Sequence, residues 1–189
     1  MIPKGNVEEL QSAVDGDVRA AYVAVMKSGY MDAVIELTEA TGVLPQLKEE
    51  DAHSVYKHLV RRGDVSAIRK VDDITNVQPQ FTKEDVQTGY EYIFEQCFNS
   101  NNSNKLLDTL TTGLSGWLYG SKKLKDLSGI GPHINADMKG KIEGAAQIIY
   151  EEYLEREEFS RIGVFRKISG IAPAKELLKR YNITEEALE

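Results

Sequence analysis

Apolar residues recur at the spacing of an α-helix in three successive stretches of the chain. A stripe of this kind, with apolar residues three or four positions apart, lies on one face of a helix, and that face is buried when the helix packs. The three sets are Val18, Ala21, Tyr22, Val25 and Met26, then Ala52, Val55, Tyr56, Leu59 and Val60, then Val86, Tyr90, Ile93 and Phe94. The pattern predicts three amphipathic helices, each with one buried face.

The same stretches repeat each other at an offset of 34 residues. Identical residues in the first two copies are Asp17 and Asp51, Tyr22 and Tyr56, Gly29 and Gly63, Ala33 and Ala67, Thr41 and Thr75, Val43 and Val77, and Pro45 and Pro79. Such self-similarity is typical of helical repeats, in which each copy buries its apolar face against the next. We predict copies near residues 17–47, 51–81 and 85–114, the third departing from the pattern at the polar segment "CFNSNNSN".

A glycine separates two helical runs in each of the first two copies. Gly29 and Gly63 fall where a short helix would stop, and "MDAVIEL" and "VSAIRKV" begin a second helix that ends near Thr-x-Val-x-Pro. Each copy is therefore predicted to be a helical hairpin. An array of such hairpins is either a surface that binds a partner or a helical bundle that grew by duplication.

Two further glycine turns occur in the last third of the chain. "LKDLSGIGPHIN", residues 124–135, and "FRKISGIAPAKELLKRY", residues 165–181, each place a tight turn between two helical runs. Backbone N–H groups at the start of the following helix lack helical partners and, with the helix dipole, favour an anion such as a phosphate. The apolar residues expected to form the core around these turns are Leu124, Leu127, Ile130, Ile134, Met138 and Ile142, then Phe165, Ile168, Ile171, Leu177 and Leu178.

Charge is distributed unevenly over the 189 residues. The net charge is -7, with 11 Lys and Arg against 18 Asp and Glu in residues 1–118, and 12 against 12 in residues 119–189. This balance argues against a broadly basic nucleic-acid binder. Any contacts with DNA would therefore be made through backbone amides. The acidic residues 1–118 would face away from DNA or bind a protein. Cys97 is the only cysteine, and no N-terminal apolar stretch resembles a secretory signal or a membrane span. We expect an intracellular protein that does not associate with membranes.

Residues 105–188 resemble the tandem helix-hairpin-helix region of family X DNA polymerases, the polymerase beta group, where a lyase domain precedes the start of the DNA-binding thumb. The resemblance rests on "LKDLSGIGPHINADM", on the 41-residue separation of the two turns and on "FRKISGIAPAKELLKRYNITEEAL". It implies sequence-independent DNA binding in repair or replication, with this chain as the N-terminal part of a polymerase X-like protein. The fold expected is all-α, with an acidic helical-repeat domain at residues 1–118 and a tandem helix-hairpin-helix domain at residues 119–189.

The resemblance also implies particular binding residues. The phosphate-facing amides would belong to Gly129, Gly131, His133, Gly170, Ala172, Ala174 and Lys175. A monovalent cation, Na⁺ or K⁺, would be held at each turn by backbone carbonyls, those of Lys125, Leu127 and Ile130 and those of Arg166, Ile168 and Ile171. No other cofactor is implied.

Two alternatives to DNA binding remain open from the sequence. In an ungapped match the lyase lysine of the family falls on Asp137, which cannot form a Schiff base, so an abasic-site or 5′-deoxyribose-phosphate lyase would have to use Lys139 or Lys141. No polymerase palm with paired aspartates follows the second turn, and the sequence favours a protein that is not an enzyme. The other alternative is a protein-interaction scaffold in which both hairpins are purely structural.

Overall fold

A computed structural model describes residues 4–45, 47–75, 77–98 and 106–184, and for residues 4–15 and 106–111 the backbone alone. Within these ranges the chain forms helices and no β-strand, so the all-α prediction is confirmed. The helices are α1 Lys4–Ser28, α2 Asp32–Thr41, α3 Glu49–Arg61, α4 Val65–Thr75, α5 Lys83–Phe98, α6 Leu106–Ser128, α7 Ala136–Glu155, α8 Phe159–Ser169 and α9 Lys175–Arg180.

Local sequence explains several of the helix ends. Helix α3 begins with Glu49, Glu50 and Asp51, whose carboxylates complement the positive end of the helix dipole. Helix α2 ends at Thr41 and is followed by Gly42, which has a left-handed φ of 67° and donates its amide hydrogen to the Thr38 carbonyl. The side chain of Asn135 caps α7 by accepting a hydrogen bond from the Met138 amide.

The chain divides into two compact units. The first contains residues 1–90 and 124–130, and the second contains residues 91–123 and 131–189. Helices α5 and α6 each pass from one unit into the other. The predicted boundary between residues 118 and 119 falls inside the continuous helix α6, and part of the "CFNSNNSN" segment, residues 99–104, lies outside the described residues.

In the first unit, α1 packs against α2 and α3, and α3 packs against α4. The first two predicted stripes and Val86 and Tyr90 of the third contribute to its core, with Tyr22, Tyr56 and Tyr90 fully buried, whereas Ile93 and Phe94 of the third stripe belong to the second unit. The Asp85 carboxylate of α5 is also buried here. It accepts hydrogen bonds from Arg61 Nε at 2.6 Å and from the Thr82 hydroxyl at 2.7 Å.

In the second unit, α7 packs against α8 around a cluster that includes Trp117, Ile149, Tyr150, Ile162 and Phe165. The Tyr150 and Phe165 rings meet edge to face, with their centroids 5.0 Å apart. Two residues predicted to lie in the core are instead exposed: Ile134, in the loop before α7, and Ile168, near the end of α8. Ile168 was misplaced because the buried face of α8 is carried by Ile162 and Phe165.

Candidate functional site

Both glycine turns of the last third belong to a motif that occurs four times in the chain. Its sequence is Ser or Thr, Gly or Asn, Val or Ile, any residue, then Pro, at residues 41–45, 75–79, 128–132 and 169–173. In every copy the amide of the Val or Ile donates a hydrogen bond to the Ser or Thr hydroxyl oxygen, over 3.3, 3.4, 3.2 and 3.2 Å respectively. Side-chain hydroxyls commonly order turns in this way.

Each of the four turns is also held by a buried tyrosine from an earlier helix of the same hairpin. The tyrosine hydroxyl donates to the carbonyl of the turn's Val or Ile, a contact that we call the tyrosine–turn hydrogen bond. Its four instances are Tyr22 to Val43 at 2.5 Å, Tyr56 to Val77 at 2.8 Å, Tyr90 to Ile130 at 2.6 Å and Tyr150 to Ile171 at 2.5 Å. The turns at residues 128–132 and 169–173 are therefore built like the turns of the first two repeats.

Burial favours the protonated hydroxyl at Tyr56, Tyr90 and Tyr150. Loss of solvent, with a smaller effect of the Asp126 carboxylate, raises the pKa of Tyr90 to about 12. Burial also raises the pKa of Tyr56 and of Tyr150. Because a charged phenolate is disfavoured at Tyr56, Tyr90 and Tyr150, these three hydroxyls remain donors to their carbonyls throughout the physiological pH range.

Three of the amides expected to face a phosphate are already engaged inside the protein. Gly129 and Gly170 adopt left-handed φ angles of 71° and 70° and donate to helix carbonyls, those of Lys125 at 2.8 Å and Arg166 at 2.9 Å. The Ala174 amide donates to the Gln147 side-chain oxygen at 2.7 Å. An amide that ends a helix or bonds a side chain has no hydrogen left for an anion.

The other predicted amides lie at the protein surface. Gly131 and Ala172 are exposed, and in the described part of the chain neither amide donates a hydrogen bond. His133 is exposed in the loop that leads to α7, and Lys175 lies at the first position of α9, which is only six residues long. Helix α7 begins only at Ala136, after an intervening loop, so the free amides of its first turn are not those of the glycine turn.

Four of the six carbonyls expected to hold a cation have protein partners. Those of Lys125 and Arg166 accept the glycine amides, and those of Ile130 and Ile171 accept the tyrosine hydroxyls. Leu127 and Ile168 lie within the last turns of α6 and α8, directly before each glycine turn. Protein donors thus already use four of the six predicted carbonyls.

The two lysines considered for lyase chemistry lie on the solvent side of α7. Lys139 Nζ is 3.8 Å from Glu143, and Lys141 Nζ is 3.3 Å from Asp137, each one helical turn away. A Schiff-base lysine needs a neutral amine, which burial or a neighbouring cation favours, and these exposed, ion-paired amines have neither. Within the described ranges, no three His, Cys, Asp or Glu side chains gather to hold a metal ion.

The sequence carried a signal for the tyrosine–turn hydrogen bond. Tyr22, Tyr56 and Tyr150 each precede their acceptor by 21 residues. The third tyrosine precedes Ile130 by 40 residues, so the third copy reaches its turn well beyond the predicted end at residue 114. Because of this longer spacing, the sequence comparison did not show that the turns at residues 41–45 and 75–79 share a motif with those at residues 128–132 and 169–173.

Compared with protein-family models, with curated proteins and with solved structures, the chain matches none of them. Among the described helices, none has both the length and the apolarity needed to cross a membrane. Function is therefore inferred from the chain's own sequence and geometry.

Proposed function

We propose that this chain is a helical-repeat scaffold that binds another protein, with its glycine turns acting as structural connections. The observation that supports this proposal is the tyrosine–turn hydrogen bond, which has the same donor and acceptor types in all four turns. Because this hydrogen bond recurs in all four turns, we infer that it serves the role that all four turns share, which is to join two helices. Repeated helical hairpins present extended surfaces that suit protein partners.

The fourth position of the turn supports the same function. The helix-hairpin-helix resemblance assigns importance to Gly131 and to its counterpart Ala172, yet the equivalent residues of the first two copies are Leu44 and Gln78. The turn therefore forms with large side chains at its fourth position, and it does not require a small residue there. The net charge of -7 also opposes association with a polyanion.

Sequence-independent DNA binding through the turns at residues 128–132 and 169–173 is the second candidate. It is favoured by the exposed amides of Gly131 and Ala172, which donate no hydrogen bond within the described residues. Neighbouring phosphates of one or two DNA strands would be the acceptors. A role in repair or replication would follow only from this candidate.

Fluorescence anisotropy with gapped and intact DNA duplexes distinguishes the two functions. The informative variant is Gly131→Glu with Ala172→Glu, since a Cβ at Gly131 meets no atom within 4 Å and its φ is not left-handed. Leu44→Glu with Gln78→Glu makes the same kind of change in the first two turns and serves as the matched control. The scaffold predicts that wild type and both variants bind DNA equally weakly at low salt. Binding about tenfold weaker by the first variant alone would favour DNA recognition by these turns.

Selection from a display library of random peptides tests the scaffold directly. The full chain is immobilised, and an equally acidic protein without repeats is immobilised separately as the control. A protein-binding scaffold enriches related peptides that do not bind the control protein. Failure to enrich any peptide specific to the full chain, together with turn-dependent DNA binding, would reverse the order of the two candidates.

A further inference from the structure

An open apolar groove lies on the first unit, between α2 and α4 and beside the first turn. Its volume is about 480 Å³, and its described lining residues are Val34, Ile35, Thr38, Glu39, Leu44, Pro45 and Ile74. Ile35 is 60% exposed and Leu44 is 70% exposed, although both have large apolar side chains. Exposed apolar side chains gathered around a groove are typical of a surface that another molecule covers.

The repeat provides an internal control for this groove. One copy later, at the 34-residue offset, Ile35 corresponds to Arg69 and Leu44 corresponds to Gln78. The second copy therefore forms the same hairpin with polar side chains at both positions. Folding of the repeat therefore does not require apolar side chains at positions 35 and 44. The exposed apolar side chains of Ile35 and Leu44 need another explanation.

Charge around the groove indicates the chemistry of what it binds. Helix α2 carries Asp32, Glu36 and Glu39 and no Lys or Arg, and Glu39 itself lines the groove. Helix α4 carries Arg69 and Lys70 as well as Asp72 and Asp73, so its own charges balance. The Lys70 ammonium on the same helix is 3.9 Å from the Asp32 carboxylate, which balances its charge. An apolar groove edged by the Glu39 carboxylate, on a helix whose charged residues are all acidic, complements apolar side chains flanked by cations.

We propose that this groove binds a segment of a partner protein in which bulky apolar residues are flanked by Lys or Arg. The proposal rests on the protein-binding function proposed above and names the site and the class of ligand. The apolar side chains of the segment cover Ile35, Leu44 and Ile74, and its cations face Glu39. Binding should weaken with added salt, because the Glu39 carboxylate is exposed.

Peptides enriched in the display selection, synthesised with a fluorescent label, are the probes for this site. The groove variant is Ile35→Arg with Leu44→Gln, which installs the residues of the second copy and is therefore expected to fold. Val164→Arg with Ile168→Gln makes the same kind of change at exposed apolar positions of α8 in the second unit and is the matched control. Leu44→Gln alone, a change in an exposed loop, and Glu39→Gln are the milder variants.

We expect enriched peptides that contain bulky apolar residues with Lys or Arg and that bind wild type and the α8 variant equally. Their affinity should fall at least about tenfold with the groove variant and severalfold with Leu44→Gln or Glu39→Gln. Peptides that bind the groove variant as well as wild type would overturn the groove while leaving the scaffold function intact. Acidic or uncharged peptides would overturn the proposed ligand chemistry, and enrichment of nothing would contradict the scaffold function and the groove together.

Discussion

At the scale of single residues, the buried tyrosines serve two purposes. Their rings fill the core, and their hydroxyls donate to partly buried turn carbonyls, of which the Ile130 carbonyl also accepts a longer hydrogen bond from the Ser128 hydroxyl at 3.4 Å. An unsatisfied buried carbonyl is costly, so a tyrosine at this position is more than a large apolar residue. Phenylalanine would fill the same space without the bond.

The substitution Tyr90→Phe should therefore destabilise the protein. It leaves the Ile130 carbonyl without its 2.6 Å donor, and we expect the free energy of unfolding to decrease by about 1 to 2 kcal/mol. Urea denaturation followed by circular dichroism measures this change. Tyr119→Phe, at a residue that is 64% exposed, is the control and should change stability little. Equal stability of the two variants would show that the hydroxyl contributes nothing.

Asp85 should make stability depend on pH. Burial alone would raise the pKa of this carboxyl, but hydrogen bonds from Thr82 and Arg61 and the positive charges of Lys57 and Arg61 lower it below its ordinary value of 3.8. The unfolded chain therefore takes up this proton at a higher pH than the folded chain does. The stabilising contribution is complete well above pH 3.8 and is lost as the pH falls through the folded pKa.

The variant Asp85→Asn tests this pH dependence. At pH 7 we expect it to be less stable than wild type by about 1 to 2 kcal/mol, because the Arg61 interaction loses its charge. The difference should shrink as the pH falls below about 4 and disappear only below the lowered pKa of the folded chain, where wild type has also lost the Asp85 charge. Urea denaturation at several pH values supplies the measurement, and a difference that stays constant with pH would contradict the assignment.

At the scale of helices, a glycine sets how closely α5 approaches α3. A Cβ built on Gly89 would lie 2.1 Å from the Val60 carbonyl oxygen, which is backbone and cannot move aside without moving its helix. Gly144 on α7 differs, because a Cβ there meets no atom within 4 Å and its backbone φ is not left-handed. The two residues thus form a matched pair, one at a close approach and one in open space.

We expect opposite effects from alanine at these two glycines. Gly89→Ala should lower the free energy of unfolding by about 3 kcal/mol or more, since the two helices must separate. Gly144→Ala should raise it by about 0.5 to 1 kcal/mol through better helix propensity. Thermal and urea denaturation of both variants provide the check, and a neutral Gly89→Ala would mean that α3 and α5 are not in close contact.

The helices and their buried faces were largely predictable, because the stripes that contain Tyr22, Tyr56 and Tyr90 depend only on helical spacing. Similarity of the first two turns was also visible in the sequence. The sequence did not readily show that the two later turns share the same motif, because the spacing between Tyr90 and Ile130 is longer in the third copy. Exposure of Ile168 was equally hidden, because one short helix with apolar residues on several sides has no single periodic face.

At the scale of the whole molecule, four hairpins share one way of closing. The sequence motif varies in the side chains at its second and fourth positions, whereas the hydroxyl, the Val or Ile carbonyl and the tyrosine donor recur. Variation at the fourth position and on the outer faces of the helices is where a binding specificity can differ from copy to copy. Ile35 and Leu44 in the first copy are such positions.

Transplanting one turn into another tests whether the four turns are interchangeable. Changing residues 169–172 to those of the second copy, Ser169→Thr, Gly170→Asn, Ile171→Val and Ala172→Gln, leaves a turn identical in sequence to residues 75–79. We predict a folded chain whose free energy of unfolding falls by less than about 2 kcal/mol. The loss comes mainly from the methylene group removed by Ile171→Val and from placing asparagine at the left-handed φ of Gly170.

The decisive measurement is the effect of Tyr150→Phe in the wild-type and transplanted chains, determined by urea denaturation. If both turns are the same structural connection, the substitution costs about 1 to 2 kcal/mol in each background, since the tyrosine–turn hydrogen bond is made in both. A transplanted chain that fails to fold, or one in which Tyr150→Phe has no effect, would contradict the claim that the four turns are one repeated structural element.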